Sequence, residues 1–291
     1  MPVYKHIYRA YSGRVTSAPT RVLVLARYGF EEAWSSKITI ALFAICLFVP
    51  IVFLIGIYLA NNPLARAMMG GDGPRNVAID HEYFLIMMQV HCWIALPLAS
   101  WVAPRLISFD MSDNALPILL SHPVSRFGYV LGKFLALSAS LSVVTWVPCL
   151  FLFAYEGYAS PVPWAAQNLQ IAGGMFAGSL LWVALLSLLA LAMSSWVKWR
   201  VVATGAIFAA ILVPAGMGAI VSAVLRTRWG LLLNLPVIMQ NLWQRMLGAP
   251  DNVNPQLSLP TFPILAMLAL VLFVCAAMLN ARIRAREVVR G

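Results

Sequence analysis

Six long runs with almost no charge constrain this chain more than anything else in it. They fall at roughly Ile38 to Ala60, Tyr83 to Ala103, Tyr129 to Tyr155, Asn168 to Val197, Val201 to Leu225 and Pro263 to Asn280. Runs of about 18 or more apolar residues match a bilayer core about 30 Å thick. In hydrocarbon, every backbone N–H and C=O must find its partner inside the segment, so each run reads as a helix. The sequence therefore predicts an all-α, polytopic membrane protein with six transmembrane helices. Composition excludes an ordinary soluble domain. Only 10% of side chains are charged and 62% are hydrophobic, where soluble domains carry about 25% charged residues.

The net charge of +10 would suggest nucleic acid only if the charges shared one solvated surface. Here they sit in short segments between apolar runs, a pattern that speaks for topology and contact with anionic lipid. An even number of spans puts both termini on one side. With the termini inside, the cytoplasmic segments hold 15 of the 20 Lys and Arg residues, leaving only Arg66, Arg75, Arg226, Arg228 and Arg245 outside. The excess predicts cytoplasmic N- and C-termini. The expected layout is a cytoplasmic arm over 1–37, a six-helix membrane domain over 38–280 and a basic tail over 281–291. The first 37 residues show no apolar core with a small-residue cleavage site, so no cleavable signal peptide is expected. The four cysteines, Cys46, Cys92, Cys149 and Cys275, lie in apolar runs without ligand spacing. They read as small buried hydrophobes.

Two segments depart from the simple span pattern. Over Thr20 to Trp34, a wheel of about 100° per residue gathers Val22, Leu23, Leu25, Ala26, Phe30, Ala33 and Trp34 on one side. Arg21, Arg27, Glu31, Glu32 and Ser35 fall opposite, with Val24 and Tyr28 as exceptions. Such a helix is expected in the membrane interface. The segment Trp229 to Leu247 is apolar, but is interrupted at Asn234-Leu235-Pro236 and followed by Gln240, Asn241, Gln244 and Arg245. It reads as a helical hairpin or interfacial helix in the outer leaflet, with a seventh span as the alternative. Pro50, Pro97, Pro148 and Pro214 should bend their spans. Gly174-x-x-x-Gly178 permits close helix approach, which packing within the chain explains as well as dimerisation does.

Candidate chemistry is sparse. No GxxxxGK[ST] occurs; Gly132-Lys133 is followed by Phe134 without a glycine cradle. No segment between spans has room for a nucleotide-binding domain. Around the second span, Asp80, Met87 and His91 are spaced to share one helical face, and an ionisable residue within a span is a functional candidate by default. These three form a possible substrate path, and Asp80, His81, Glu82 and His91 are the groups an intramembrane enzyme would use. No second acid or HExxH pattern supports catalysis, and a packing histidine is the simpler reading of His91. The Met68-Met69 and Met87-Met88 pairs lack the convergent ligands of a metal path. No catalytic, cofactor-binding or metal-ligating residue is assigned.

The segment with the most specific pattern runs from Ala103 to Lys133. It is charged and turn-rich between two apolar runs: Leu106-Ile107, then Asp110, then Asp113-Asn114-Ala115-Leu116, then Ser121-His122-Pro123-Val124-Ser125-Arg126, then Tyr129-Val130-Leu131-Gly132-Lys133. Asp110 and Asp113 stand near the start of an expected short helix, where carboxylates are favoured, and Asp113 or Asn114 could cap it. Leu116, Ile118, Leu119 and Leu120 give an apolar surface, and Pro123 ends it. In this order of residues the segment resembles the first cytoplasmic loop of ABC-2 type permeases, the membrane subunits of one class of ATP-driven transporters. The preceding amphipathic helix and the C-terminal run Arg282-Ile283-Arg284-Ala285-Arg286 are similar to bacterial members as well. Pro117 and His122 have no counterpart in that pattern.

The resemblance implies a permease in a bacterial inner membrane that is not itself an enzyme. It would pair with a second copy or a paralogue, and bind ATPase subunits that hold ATP and Mg. No cofactor is expected in this chain, and no nucleic-acid partner. The loop 104–128 would contain a coupling helix entering a groove on the ATPase, with Asp110, Asp113, Asn114, Leu116, Leu119 and Arg126 at the contact. Substrate would move outward along the interface between two permeases. An ion-coupled secondary transporter and an intramembrane enzyme remain the alternatives.

Overall fold

A computed structural model describes residues 16–62, 64, 78–112, 125–160, 163–249 and 258–283. It is 89% helical, and six of its helical segments among the described residues are long and apolar enough to cross a membrane. The expected all-α polytopic architecture is therefore observed. Helix α1 (Ala18–Trp34) precedes the first span, α2 (Lys37–Asn61). The second span is α3 (His81–Ser112), and the third is split into α4 (Arg126–Val144) and α5 (Trp146–Ala159). A short turn, α6 (Trp164–Gln167), leads to the fourth span, α7 (Leu169–Trp196), and the fifth, α8 (Arg200–Leu225). A 3-10 segment (Arg228–Leu233) and α9 (Leu235–Leu247) then precede the last span, α10 (Thr261–Arg282).

The second and fourth spans form the centre of the bundle. In the most apolar stretch of α7, 67% of residues are buried, against 17% in α8. The first, fifth and last spans thus present mostly apolar side chains outward, as lipid-facing helices must. All four cysteines are buried and free, in line with the sequence reading.

Prolines are accommodated by neighbours rather than by free bending alone. The expected break in the third span falls at Thr145, three residues before Pro148, whose position in the first turn of α5 needs no N–H donor. In α3, Pro104 leaves the carbonyl of Ser100 without its helical donor, and Thr204 Oγ1 of α8 donates to it at 2.9 Å. The helix consequently runs nine residues past Ala103, where the second span was expected to end. Beyond it, Ser108 Oγ donates to the carbonyls of Ser194 (3.0 Å) and Val197 (3.1 Å), and Arg282 Nε donates to that of Ser195. These bonds satisfy the carbonyls orphaned at the end of α7.

The segment 229–247 is not a seventh span. Asn234 caps α9, its Oδ1 accepting from the Val237 N–H at 3.2 Å, and Gly248 closes it with φ 74°. Thirteen residues reach only about 20 Å, short of a core of about 30 Å. The interruption at Asn234-Leu235-Pro236 separates two short helices as expected. The second of these is packed into the bundle, not merely lying on it: α9 buries Ile238, Met239, Trp243 and Leu247. The glycines of the Gly174-x-x-x-Gly178 motif receive it. A Cβ at Gly178 would meet Trp243 Cδ1 at 2.5 Å, and one at Gly174 would meet the Met246 carbonyl oxygen at 2.7 Å. The motif serves packing within the chain.

Helix α1 differs from its expectation in one respect. It is amphipathic, but it docks along the start of the third span rather than resting on lipid alone. Leu25 lies against Gly132 and Gly29 against Ala136, while Trp34 Nε1 donates to Ser140 Oγ at 3.3 Å. Both helices advance together through these contacts, so α1 follows the direction of α4 here. The wheel overlooked Gly29 because a glycine adds no hydrophobicity, yet its missing side chain permits the close approach. Leu23, assigned to the apolar side, is 62% exposed.

Candidate functional site at the loop end

Two ends of the bundle can be distinguished. The loop end carries the C-terminal turn of α3, the start of α4 and the junction of α7 with α8. The hairpin end carries the start of α3, the end of α5, and α9. From Tyr83 to Trp101, α3 rises about 27 Å, close to the thickness of a hydrocarbon core. With Tyr83 taken as one boundary of the core, Arg105 and Asp110 fall past the other, at the depth of headgroups and water.

Ser125 starts α4 by accepting from the Gly128 N–H at 3.0 Å through its Oγ, a cap that satisfies one orphan donor of the first turn. Four residues apart on that helix, Tyr129 and Lys133 share one face and are buried. Both reach the same oxygen of Asp110. Tyr129 Oη donates to Asp110 Oδ2 at 2.7 Å, and Lys133 Nζ lies 2.8 Å from the same atom.

This arrangement corrects the placement of Asp110. It was expected near the N-terminus of a short helix, where the helix dipole favours a carboxylate. It sits instead in the last turn of α3, where that dipole disfavours it. The Lys133 ammonium supplies the compensating charge. The Lys133 side chain is 5% exposed and that of Asp110 19%, so water screens the pair much less than it would a surface pair. The ion pair joins the last turn of α3 to α4 as a charged clamp. Sequence reasoning missed the partners of Asp110. The available signal was a Tyr and a Lys four residues apart, following two acids, Asp110 and Asp113, in the sequence.

The remaining coupling residues divide. Arg126 is exposed at the mouth of an apolar cleft of about 540 Å³ lined by Phe127, Val130, Phe273 and Asn280. Asp113, Asn114, Leu116 and Leu119 lie outside the described residues.

Around the second span, the structure brings Met87 and His91 together but gives Asp80 a different task. Asp80 Oδ1 accepts from the N–H groups of Glu82 (3.0 Å) and Tyr83 (3.2 Å), capping α3 at the hairpin end. His91 is buried, and its Nδ1 lies 3.0 Å from the Met87 carbonyl oxygen, which fixes the ring proton on Nδ1. Met87 is fully buried beside it. Among the described residues, no group of three His, Cys, Asp or Glu side chains could hold a metal ion. A further acid was not singled out by the sequence: Glu156 of α5, buried at the hairpin end, where its Oε2 accepts from Asn61 Nδ2 at 2.7 Å.

No family model matches this chain, and no curated protein matches it.

Proposed function

We propose that this chain is the permease subunit of an ABC-2 type transporter, acting as an exporter in a bacterial inner membrane. It works with a separate ATPase subunit and a second copy or paralogue of itself. The observation that carries this reading is the clamp of Asp110 with Lys133 and Tyr129 at the two feet of the segment 113–124. A force applied to that segment reaches the second and third spans as one unit, because the clamp resists their separation. The second span lies at the centre of the bundle, so its movement repacks the centre and not merely the rim. Six spans, the docked α1 and the order of residues from Asp110 to Lys133 support the same reading.

Purification together with a neighbouring-gene ATPase, followed by reconstitution, is the test. Vanadate-sensitive ATP turnover in the assembled complex is expected, and its absence from every reconstituted complex would overturn the proposal. The orientation is tested separately with single cysteines in a cysteine-free background. Asn76→Cys and Gln256→Cys react with an impermeant reagent added outside intact cells, whereas Ser112→Cys and Ser125→Cys do not. Labelling of Ser112→Cys from outside reverses the orientation.

A further inference from the structure

At the loop end, away from the clamp, four nitrogen donors lack an acceptor. Trp101 and Arg105 are four residues apart on α3 and share a face. Arg200, the first residue of α8, lays its guanidinium on the Trp101 ring, 3.7 Å from the ring centroid. Trp101 Nε1, Arg105 Nε, and Arg200 Nε and Nη2 are buried without a hydrogen-bond partner. Nε and Nη2 form the edge of a guanidinium that matches two oxygens of a carboxylate or phosphate. Neither arginine is in an ion pair among the described residues, and Asp110, the acid nearest along α3, is held by Lys133 and Tyr129. Two guanidiniums side by side repel, and buried donors without acceptors cost free energy. An anion relieves both.

We propose that Arg105 and Arg200, the latter stacked on the Trp101 indole, bind the phosphate of an anionic phospholipid in the leaflet at the loop end. A lipid is favoured over a protein carboxylate by what surrounds the site. Next to Arg200, Trp199 is 78% exposed and Val201 83% exposed, an outward apolar surface on which acyl chains can lie. Tryptophans gather at headgroup depth, and Trp101, Trp196 and Trp199 all stand at this end. Both arginines are half-buried, so part of each side chain reaches the surface beside the covered donors. These donors are covered as they stand, so a local side-chain movement is needed to present the edge of Arg200 and the Nε–H of Arg105 to the phosphate, with the ring keeping the guanidinium oriented. This inference does not depend on the transporter reading.

The test titrates the full chain in neutral detergent with a soluble short-chain phosphatidylglycerol, with binding read by native mass spectrometry. Parallel arms use the matching phosphatidylcholine and inorganic phosphate. Both lipids offer a phosphate, but the choline cation cancels its charge and meets two guanidiniums, so phosphatidylglycerol is expected to bind about tenfold more tightly than phosphatidylcholine. Arg105→Gln with Arg200→Gln abolishes the preference, and Lys198→Gln, which removes an exposed charge nearby, leaves it. If the double glutamine variant does not fold, Arg105→Lys with Arg200→Lys keeps the charge and loses the fork, and the preference falls severalfold. An unchanged preference in either double variant overturns the site. Equal binding of both lipids overturns it too. Competition by inorganic phosphate at the affinity of the lipid shows an anion site with no lipid component, which also contradicts the proposal.

Discussion

At the hairpin end, Asn241 Oδ1 accepts from the Leu259 N–H at 3.1 Å, Arg245 donates to Thr261 and the Leu259 carbonyl, and Asn61 holds Glu156. These bonds tie α9 to the start of the last span and the first span to the third, and α9 seals the end by packing into the glycines of α7. At the loop end, by contrast, the second and third spans meet through one charged clamp, and Arg105 and Arg200 leave donors unmatched. Both ends use polar groups in closing the protein and both keep an unmatched atom or two, such as Trp243 Nε1 and Ser222 Oγ at the hairpin end, but only the loop end leaves charged guanidinium donors unmatched. On the proposed function, the hairpin end would stay fixed and the loop end would be the one acted on.

If that contrast holds, the largest loss of stability belongs to the hairpin end. Gly178→Leu drives a side chain into Trp243, and overpacking of this kind costs roughly 3 kcal/mol. The altered chain should unfold at a clearly lower temperature in detergent. An unchanged midpoint would show that α9 is loosely held. Lys133→Met should cost less, roughly 2 kcal/mol, since Asp110 is partly exposed and keeps Tyr129. Adding Asp110→Asn should restore much of that loss, because the stranded charge is gone. A double-mutant cycle in thermal unfolding reads the coupling directly, and additive effects would mean that the clamp does not bind the two helices. Smallest of all is Arg27→Ala. Its ion pair with Glu31 at 2.8 Å is an exposed i, i+4 contact on α1, and such pairs contribute little. Unfolding and insertion should not change measurably; a large effect would give the outer face of α1 an unrecognised contact.

The spans were legible because hydrocarbon imposes one demand that composition alone reports. Their ends were less so, and α3 shows why. Pro104 marks a plausible stop, yet Thr204, a hundred residues away in sequence, donates to the carbonyl that the proline strands. The helix therefore continues, and Asp110 changes from an N-terminal to a C-terminal position. The docking of α1 was hidden for a related reason: Gly29 and Gly132 contribute by what they lack, which no hydrophobic count registers. The pairing of Asp110 with Lys133 and Tyr129 is tertiary and left only a spacing in the sequence. For Asp113, Asn114, Leu116 and Leu119, the order of residues from Asp110 to Lys133 carries the whole argument.

The central claim is that the segment between the clamped feet docks on an ATPase. Changing Leu116 and Leu119 to Asp would bury unpaired charge at that contact, which is strongly unfavourable, while leaving the spans untouched. Pull-down of the ATPase with the doubly substituted, correctly inserted permease is the direct measurement. The account predicts that association and transport are lost together. Normal ATPase binding by that variant would contradict it, and would leave the segment as a helix resting on the membrane.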